Sequence, residues 1–320
     1  MRYSRILGTG SYLPEKTLSN ADLEKMVDTN DEWITQRTGI KSRHIRSESD
    51  TTVSMGTEAA KKALEVAGID KNKIGMVILS TSSPDRLYPC AAAEIQANLG
   101  LNNTCCPGFD LNAACSGFIY ALSVADQFIR SGFLDYVLVI GSESITKMAD
   151  WTDRATCILL GDGAGAVVLG ADTEPGILST HLHADGSYGG LITHTGDLYD
   201  KTVPPSYFKM HGNEVFKIAV TKLGDVIDEA LAANNLKKQD INWLVPHQAN
   251  LRIIQATAKK LEISLEQVIL TIAGQGNTAS ASVPLALDAG IRDGRIKRGD
   301  MVFLEAFSAG LAWGAAVVKY

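Results

Sequence analysis

The stretch Ala63-Leu-Glu-Val-Ala-Gly-Ile-Asp-Lys-Asn-Lys-Ile-Gly-Met-Val-Ile-Leu79 reads as a helix end, a polar turn and an apolar strand. Ala230-Leu-Ala-Ala-Asn-Asn-Leu-Lys-Lys-Gln-Asp-Ile-Asn-Trp-Leu-Val-Pro246 repeats it without a gap, about half of the 320-residue chain later. The parallel extends outward. Ala121-Leu-Ser-Val to Gly132, then Tyr136-Val-Leu-Val-Ile-Gly141, is echoed by Ala286-Leu-Asp-Ala to Gly299, then Met301-Val-Phe-Leu-Glu-Ala306. Each half closes on a small-residue apolar strand, Gly163-Ala-Gly-Ala-Val-Val-Leu-Gly170 against Trp313-Gly-Ala-Ala-Val-Val-Lys-Tyr320, and each opens on one, from Tyr3 and from Gly176. Strands apolar throughout, such as the one from Tyr136 to Gly141, belong to a sheet covered on both faces. The expectation is a layered α/β sandwich of two copies of one unit. The polar stretch Ala171-Asp-Thr-Glu-Pro-Gly176 divides them into residues 1–172 and 173–320.

With 45% hydrophobic and 21% charged residues, the chain has the composition of a globular enzyme. No apolar run approaches the roughly 20 residues of a membrane span, and Met1-Arg-Tyr-Ser lacks the apolar core of a signal peptide, so a cytoplasmic protein with no membrane contact is expected. The formal charge of -6 argues against general nucleic-acid affinity. Five cysteines, Cys90, Cys105, Cys106, Cys115 and Cys157, form neither CxxC pairs nor an even framework, which disfavours structural zinc and a disulfide scaffold.

Cys115 stands apart from the other four. It lies in Asp110-Leu-Asn-Ala-Ala-Cys115-Ser-Gly-Phe-Ile-Tyr-Ala-Leu-Ser123, between an apolar strand and a helix whose apolar face is Phe118, Leu122, Ala125 and Ile129. Unpaired N–H groups and the positive end of a helix dipole there are expected to lower its thiol pKa from about 8.5. The competing reading is a buried structural cysteine. In the second half, the strand ending at Pro246 leads into His247-Gln-Ala-Asn250, and catalytic groups concentrate at such strand ends. Gly274-Gln-Gly-Asn277-Thr then opens a helix that echoes the one after Cys115, which makes Asn277 the expected counterpart of the cysteine. An N-cap is the plainer role for that asparagine. The glycine run Gly161-Asp-Gly-Ala-Gly165 is not a Walker pattern and reads as turn geometry, and no spacing indicates a metal site.

Ala114-Cys115-Ser-Gly117, His247-Gln-Ala-Asn250 and Gly276-Asn277-Thr278 resemble, in order and spacing, the Cys-His-Asn triad of the β-ketoacyl-acyl-carrier-protein synthase III family. The likeness extends to Asp28-Thr-Asn-Asp-Glu-Trp-Ile34, Arg37-Thr-Gly39, Gly161-Asp-Gly-Ala-Gly165, Gly212-Asn-Glu-Val-Phe216 and Glu305-Ala-Phe307. It implies the thiolase fold, a five-layered αβαβα sandwich, and a homodimer. It also implies condensation of acetyl-CoA, or another acyl-CoA, with malonyl-acyl carrier protein in fatty acid synthesis. The CoA thioester is a substrate, and no cofactor is implied. Cys115 would be the nucleophile, His247 and Asn277 neutral donors to the malonyl thioester oxygen, and the N–H groups of Cys115 and Ala309, after Phe307, the oxyanion hole.

The same resemblance assigns CoA binding to Thr29, Trp33, Arg37, Arg154, Gly212, Phe216 and Asn250, with adenine stacked on Trp33. It sets Tyr88, supplied to a partner subunit, and Leu160 at the acyl pocket. Thr29-Asn-Asp-Glu32 has capping-box form before a short helix ending at Gly39, on which Trp33 and Arg37 share a face. Carrier-protein docking is expected at Lys217, Gln248, Arg252, Lys259 and Lys260, because an acidic partner needs a local positive patch on a net-negative chain. Ser308 and Ala309 replace glycines of the family pattern, and a slightly different oxyanion-loop geometry is expected since side chains tolerate positive φ poorly. Three rival readings are a sister condensing enzyme with another primer, a Cys-His-Asn hydrolase and a non-catalytic thioester binder. The duplicated α/β pattern and the Trp33 helix disfavour the second, and Cys115 on its turn disfavours the third.

Overall fold

The computed structural model describes residues 2–101, 105–194 and 207–320. Its first sheet contains β1 (Tyr3–Tyr12), β2 (Met76–Ser80), β3 (Gly108–Leu111), β4 (Tyr136–Glu143) and β5 (Gly163–Asp172) in the order β1-β5-β4-β2-β3. The second contains β6 (Ile177–Ala184), β7 (Trp243–Pro246), β8 (Met301–Ser308) and β9 (Ala312–Lys319) in the order β7-β8-β9-β6. Connectivity is the same in both. β4 pairs antiparallel with β5 and parallel with β2, as β8 pairs antiparallel with β9 and parallel with β7. Where β3 lies parallel beside β2, the second sheet has only a bridge from Leu244 to Val268.

Seven helices are used below: α1 (Asp31–Thr38), α2 (Thr52–Ala67), α3 (Ala91–Asn98), α4 (Gly117–Arg130), α5 (Gly212–Ala233), α6 (Leu251–Leu261) and α7 (Ser282–Arg292). α4 and α7 form the middle layer. Phe118, Ile119 and Leu122 of α4 pack with Val283 and Leu287 of α7 and with inward residues of both sheets, such as Val139 and Leu304. α2 and α3 cover the outer face of the first sheet, and α5 and α6 that of the second. This is the layered α/β sandwich expected from the duplication, with the five layers that the family resemblance implies. Apolar strands follow from it, because each sheet face meets helices. Every fully buried Leu, Ile or Phe in the middle layer contributes about 1.5–3 kcal/mol, so that layer holds the two halves together.

The middle helices run from the strand ends where chemistry is expected, and glycines let the backbones close in. A Cβ on Gly141 of β4 would lie 2.6 Å from the Ser280 carbonyl oxygen, and one on Gly161 would lie 2.3 Å from that of Gln275. Both contacts draw the loop carrying Asn277 against the first half.

Candidate active site

Cys115 follows β3 on a 3-10 turn, Ala114–Ser116, that leads into α4. The turn is set by Asn112, whose Oδ1 accepts the Ala114 N–H at 3.1 Å, and by Ala114 at φ 46°. Ser116 donates its hydroxyl to the Ala312 carbonyl at 3.1 Å, tying the turn to β9 across the molecule. The thiol is half-buried. Its environment reverses the expectation of a low pKa: burial first, and the charge of nearby Glu143 second, push it up to about 12, against its own backbone N–H. The 3-10 turn also places Cys115 ahead of the first residue of α4.

His247 follows β7, and its N–H donates to the Glu305 carbonyl of β8 at 2.8 Å. Its Nδ1 lies 2.6 Å from Ser282 Oγ, at the start of α7. That hydroxyl oxygen already accepts the Gln248 N–H at 3.3 Å. With the Ser282 hydroxyl assigned as donor to Nδ1, the nearest acceptor to it, the ring hydrogen is on Nε2. Burial depresses the imidazole pKa to about 3, so the ring is neutral and acts as a donor.

Asn277 is clamped on both sides. Its N–H donates to the Leu159 carbonyl at 2.8 Å, and its own carbonyl accepts from Gly161 N–H at 2.9 Å. The side-chain Oδ1 accepts the Ala279 N–H at 2.9 Å, which fixes the amide so that Nδ2 is the group left for a ligand. The cap role and the donor role thus coexist. The expected pairing with Cys115 does not hold. Ala279, at φ 46°, and the 3-10 turn Ala279–Ala281 reproduce Ala114 and Ala114–Ser116, so Cys115 corresponds to Ser280 and Asn277 to Asn112.

One cavity of about 1150 Å³ is lined by Cys115, His247 and Asn277, by Phe307 and Ala309, and outward by Phe216, Asn250, Arg37 and Trp33. Arg37 and Arg154 both hold their guanidinium groups over the Trp33 indole, at 4.5 and 4.8 Å from its centroid. Gly212 begins α5 on the cavity wall one turn before Phe216. Asn250 caps α6 through Arg252 N–H at 2.9 Å and donates to the Arg37 carbonyl at 3.0 Å, locking α6 to α1.

Several expected residues stand elsewhere. Asn30, not Thr29, caps α1 by accepting the Trp33 N–H. Thr29 lies outside the cavity wall, with its Oγ1 buried and unpartnered. Leu160 is 1% exposed behind the wall, where Ile158 and Leu159 line the cavity instead, because its backbone bridges to Asn277 and its side chain enters the core. Tyr88 is 82% exposed and does not reach its own chain's cavity.

Gln248 cannot dock a protein: it is fully buried, donates to the Pro246 and Ile269 carbonyls and accepts from Thr271 and Ile272 N–H groups. Lys217, Arg252, Lys259 and Lys260 are exposed, while Ile254, Ala258 and Leu261 form the buried face of α6. Lys260 is paired with Asp228 at 2.5 Å. Ser308 and Ala309, which stand where the family pattern has glycines, meet no backbone strain there. Ser308 and Ala309 are not among the residues at positive φ; Gly310 is, at 134°. Ser308 is also useful, since its hydroxyl donates to the Ala113 carbonyl beside Cys115 at 3.0 Å.

Two acidic residues were missed. Glu305 lines the cavity with an unpartnered buried oxygen, and burial pushes its pKa up to about 8. Glu143 is buried behind Cys115. The available signal was a lone carboxylate in an apolar strand in each case, Glu143 at the end of β4 and Glu305 within β8.

Models of 3-oxoacyl-[acyl-carrier-protein] synthase III match residues 109–186, and of its C-terminal part residues 231–320. The β-ketoacyl-[acyl-carrier-protein] synthase III of Citrobacter koseri is 57% identical over 99% of this chain and 100% of its own, and that of Escherichia coli K12 is 56% identical over the same shares. The chain belongs to the β-ketoacyl-[acyl-carrier-protein] synthase III family. Its fold agrees: the Aquifex aeolicus synthase III crystal structure superposes with a TM-score of 0.93 at 45% identity, covering 99% of this chain and 100% of that one. The priming ketosynthase of the R1128 polyketide pathway has a TM-score of 0.95 at 38% identity, covering 99% of this chain and 96% of its own. The synthase is therefore an acyltransferase, a thiolase-fold condensing enzyme of fatty acid biosynthesis. Hydrolase and non-catalytic readings are set aside. No helix among the described residues is long and apolar enough to cross a membrane.

Proposed function

We propose that this synthase condenses acetyl-CoA with malonyl-acyl carrier protein, using Cys115, His247 and Asn277 in one cavity. The observation that carries the reading is the juxtaposition of a nucleophile with two neutral donors whose other hydrogen-bonding positions are already occupied. In the first half-reaction the Cys115 sulfur bonds the acetyl carbon, the bond from that carbon to CoA sulfur breaks, and the thiol proton ends on CoA. N–H groups of Cys115 and Ala309 hold the oxyanion. In the second, the malonyl carboxylate leaves as carbon dioxide and its bonding electrons form an enolate, stabilised by His247 Nε2–H and Asn277 Nδ2. The enolate carbon attacks acetyl-Cys115 and expels the thiolate, which takes a proton from solvent.

The outer cavity would hold the CoA arm. Trp33 would stack on adenine, displacing one of the two guanidinium groups now over it, and Phe216, Gly212 and Asn250 would line the pantetheine path. Tyr88 at its exposed position suits closure of a partner's acyl pocket in a homodimer, with the edge strand β3 available for pairing. The halves would divide at residues 172 and 173, and the enzyme would work in the cytoplasm. Purified protein given malonyl-acyl carrier protein and a panel of acyl-CoA primers, with products resolved by mass, tests the primer. Acetoacetyl product is expected, and a branched or longer product in preference to it overturns the acetyl reading.

Docking of the acidic carrier protein falls to Arg252, Lys259 and Lys217, with Lys260 weakened by Asp228. As rim charges they govern association more than chemistry. Arg252→Glu with Lys259→Glu should raise KM for malonyl-acyl carrier protein several-fold and leave acetylation of Cys115 nearly unchanged. A fall in both half-reactions would instead assign α6 a role in holding the cavity together.

A further inference from the structure

The short strand Ser42–His44, paired antiparallel with Thr17–Ser19, runs against the two loops that meet at Asn277. Its middle residue, Arg43, is fully buried. A Cβ on Gly161 would lie 3.3 Å from the Arg43 Cβ and one on Gly276 3.0 Å from it, so the arginine stem packs against both loops. The guanidinium reaches further. Nη2 donates to the Ile158 carbonyl at 2.8 Å and to Asn20 Oδ1 at 3.0 Å, and Nη1 donates to the Leu18 carbonyl at 3.0 Å. No carboxylate among the described residues pairs with it, and its Nε is buried without a partner. Burial draws its pKa down to about 10, which leaves the group charged at neutral pH. Burying a charge without a counter-charge is costly, and an aliphatic side chain would fill the same space without that cost. What the guanidinium alone supplies is a rigid fork that holds separate segments at once.

One of those segments is an anchor. Asn20 is buried and donates to Asp31 Oδ1 and to the Ile40 carbonyl, both at 2.8 Å, which ties it to the start of α1 and to the chain just past its end. The other leads to the active site. Ile158 and Leu159 line the cavity, and the Leu159 carbonyl accepts the Asn277 N–H. We propose that Arg43 is a positioning residue for Asn277: its guanidinium fixes the Ile158 carbonyl against the Asn20 anchor, and the Leu159 carbonyl so placed sets the Asn277 backbone and, through it, the direction of Nδ2. The proposal rests on the reading of Asn277 as a donor to the malonyl thioester oxygen. Arg43 itself does not line the cavity. Cys115 sits on another turn, held by Asn112 and by the Ala312 carbonyl, so the two half-reactions should respond differently to a change at Arg43.

The test is a cycle of Arg43→Lys, Asn277→Ala and the pair, each read in two single turnovers. One is acetylation of Cys115 by acetyl-CoA, followed by peptide mass; the other is condensation of the preacetylated enzyme with malonyl-acyl carrier protein. Lysine keeps the charge, but its ammonium ends where the guanidinium carbon stood and falls short of the Ile158 carbonyl. A catalytic group misplaced by about 1 Å can cost about a hundredfold, so a smaller shift passed on to Asn277 should slow condensation about tenfold in Arg43→Lys. Acetylation should stay within about twofold of wild type, and on Asn277→Ala the same lysine should slow condensation by less than about twofold more, because the group it misplaces is gone. Equal falls in both half-reactions overturn the proposal, as does an unchanged condensation rate. A second tenfold loss on Asn277→Ala overturns it too, and would make Arg43 a brace of the fold. Condensation at the normal rate in Asn277→Ala alone would remove the donor reading of Asn277, and the proposal with it. Should Arg43→Lys fail to fold, Arg43→Gln, neutral and shorter, takes its place in the cycle with the same expected outcomes.

Discussion

The turn at residues 112–117 and the turn at residues 277–282 share one backbone. Each begins with an asparagine whose Oδ1 caps the residue two places on, continues through an alanine at φ 46° and a 3-10 turn, and enters a middle-layer helix. Left-handed φ costs a non-glycine residue about 1–2 kcal/mol, and keeping alanine at both places shows how strongly the surrounding contacts impose the geometry. The side chains differ. Cys115 opens on the cavity, whereas its counterpart Ser280 is fully buried and spends its hydroxyl on Glu143 and the Ser80 carbonyl. Asn112 is exposed where Asn277 is clamped. At the strand ends the second half has His247, and the first has Ser80, whose Oγ is buried without a partner. Duplication supplied two frames, and the two side chains of each pair meet different partners in them.

The sharpest way to break this comparison is to exchange the nucleophile. Cys115→Ser should abolish acetyl labelling and lower condensation by at least about 10⁴-fold, as loss of a covalent nucleophile does. Adding Ser280→Cys to that variant should restore neither, because the position has no path to the cavity. An acetylated Ser280→Cys peptide, found by mass after incubation with acetyl-CoA, would make the two turns functionally equivalent.

The donors come next. Asn277→Ala and His247→Ala should each lower condensation about a hundredfold to a thousandfold while Cys115 is still acetylated, the usual effect of one lost oxyanion donor. Ser80→Ala should be nearly silent in the same assay, because it removes a hydroxyl with no partner among the described residues, whereas Asn112→Ala loosens the turn that carries Cys115 and should slow acetylation as well as condensation. A hundredfold loss in Ser80→Ala would mean that the first half also contributes a donor.

The smallest effect concerns acid. The folded-state pKa of His247, about 3, lies below its ordinary 6.5, so the neutral ring's full contribution is present above pH 6.5 and is lost as pH falls towards 3. At pH 5 the loss is about 2 kcal/mol. His247→Gln should therefore lose about that much less unfolding free energy between pH 7 and pH 5 in urea titrations. Equal losses in both proteins would place a charged, solvated imidazole in the folded state.

How much of this was legible in the chain can be followed residue by residue. The repeat around Ala63 and Ala230, the helix face of Phe118, Leu122, Ala125 and Ile129, and the strand-end position of His247 all follow from local periodicity and punctuation, which depend on neighbours a few residues apart. Cys115, His247 and Asn277 were thereby marked before their meeting in one cavity was seen. Only the tertiary structure decided the rest, because burial and long-range partners have no local signature. Gln248 looks like a surface amide in the chain and is a fully buried brace against Thr271 and Ile272. The family resemblance sets Leu160 at the acyl pocket, and its side chain faces the core. Glu143 and Ser280 are far apart in the chain and share a hydrogen bond of 2.6 Å. The nucleophile's position on its turn was written in the sequence; its ionisation depends on desolvation and on a carboxylate delivered by another strand, and those exist only once the two halves have packed.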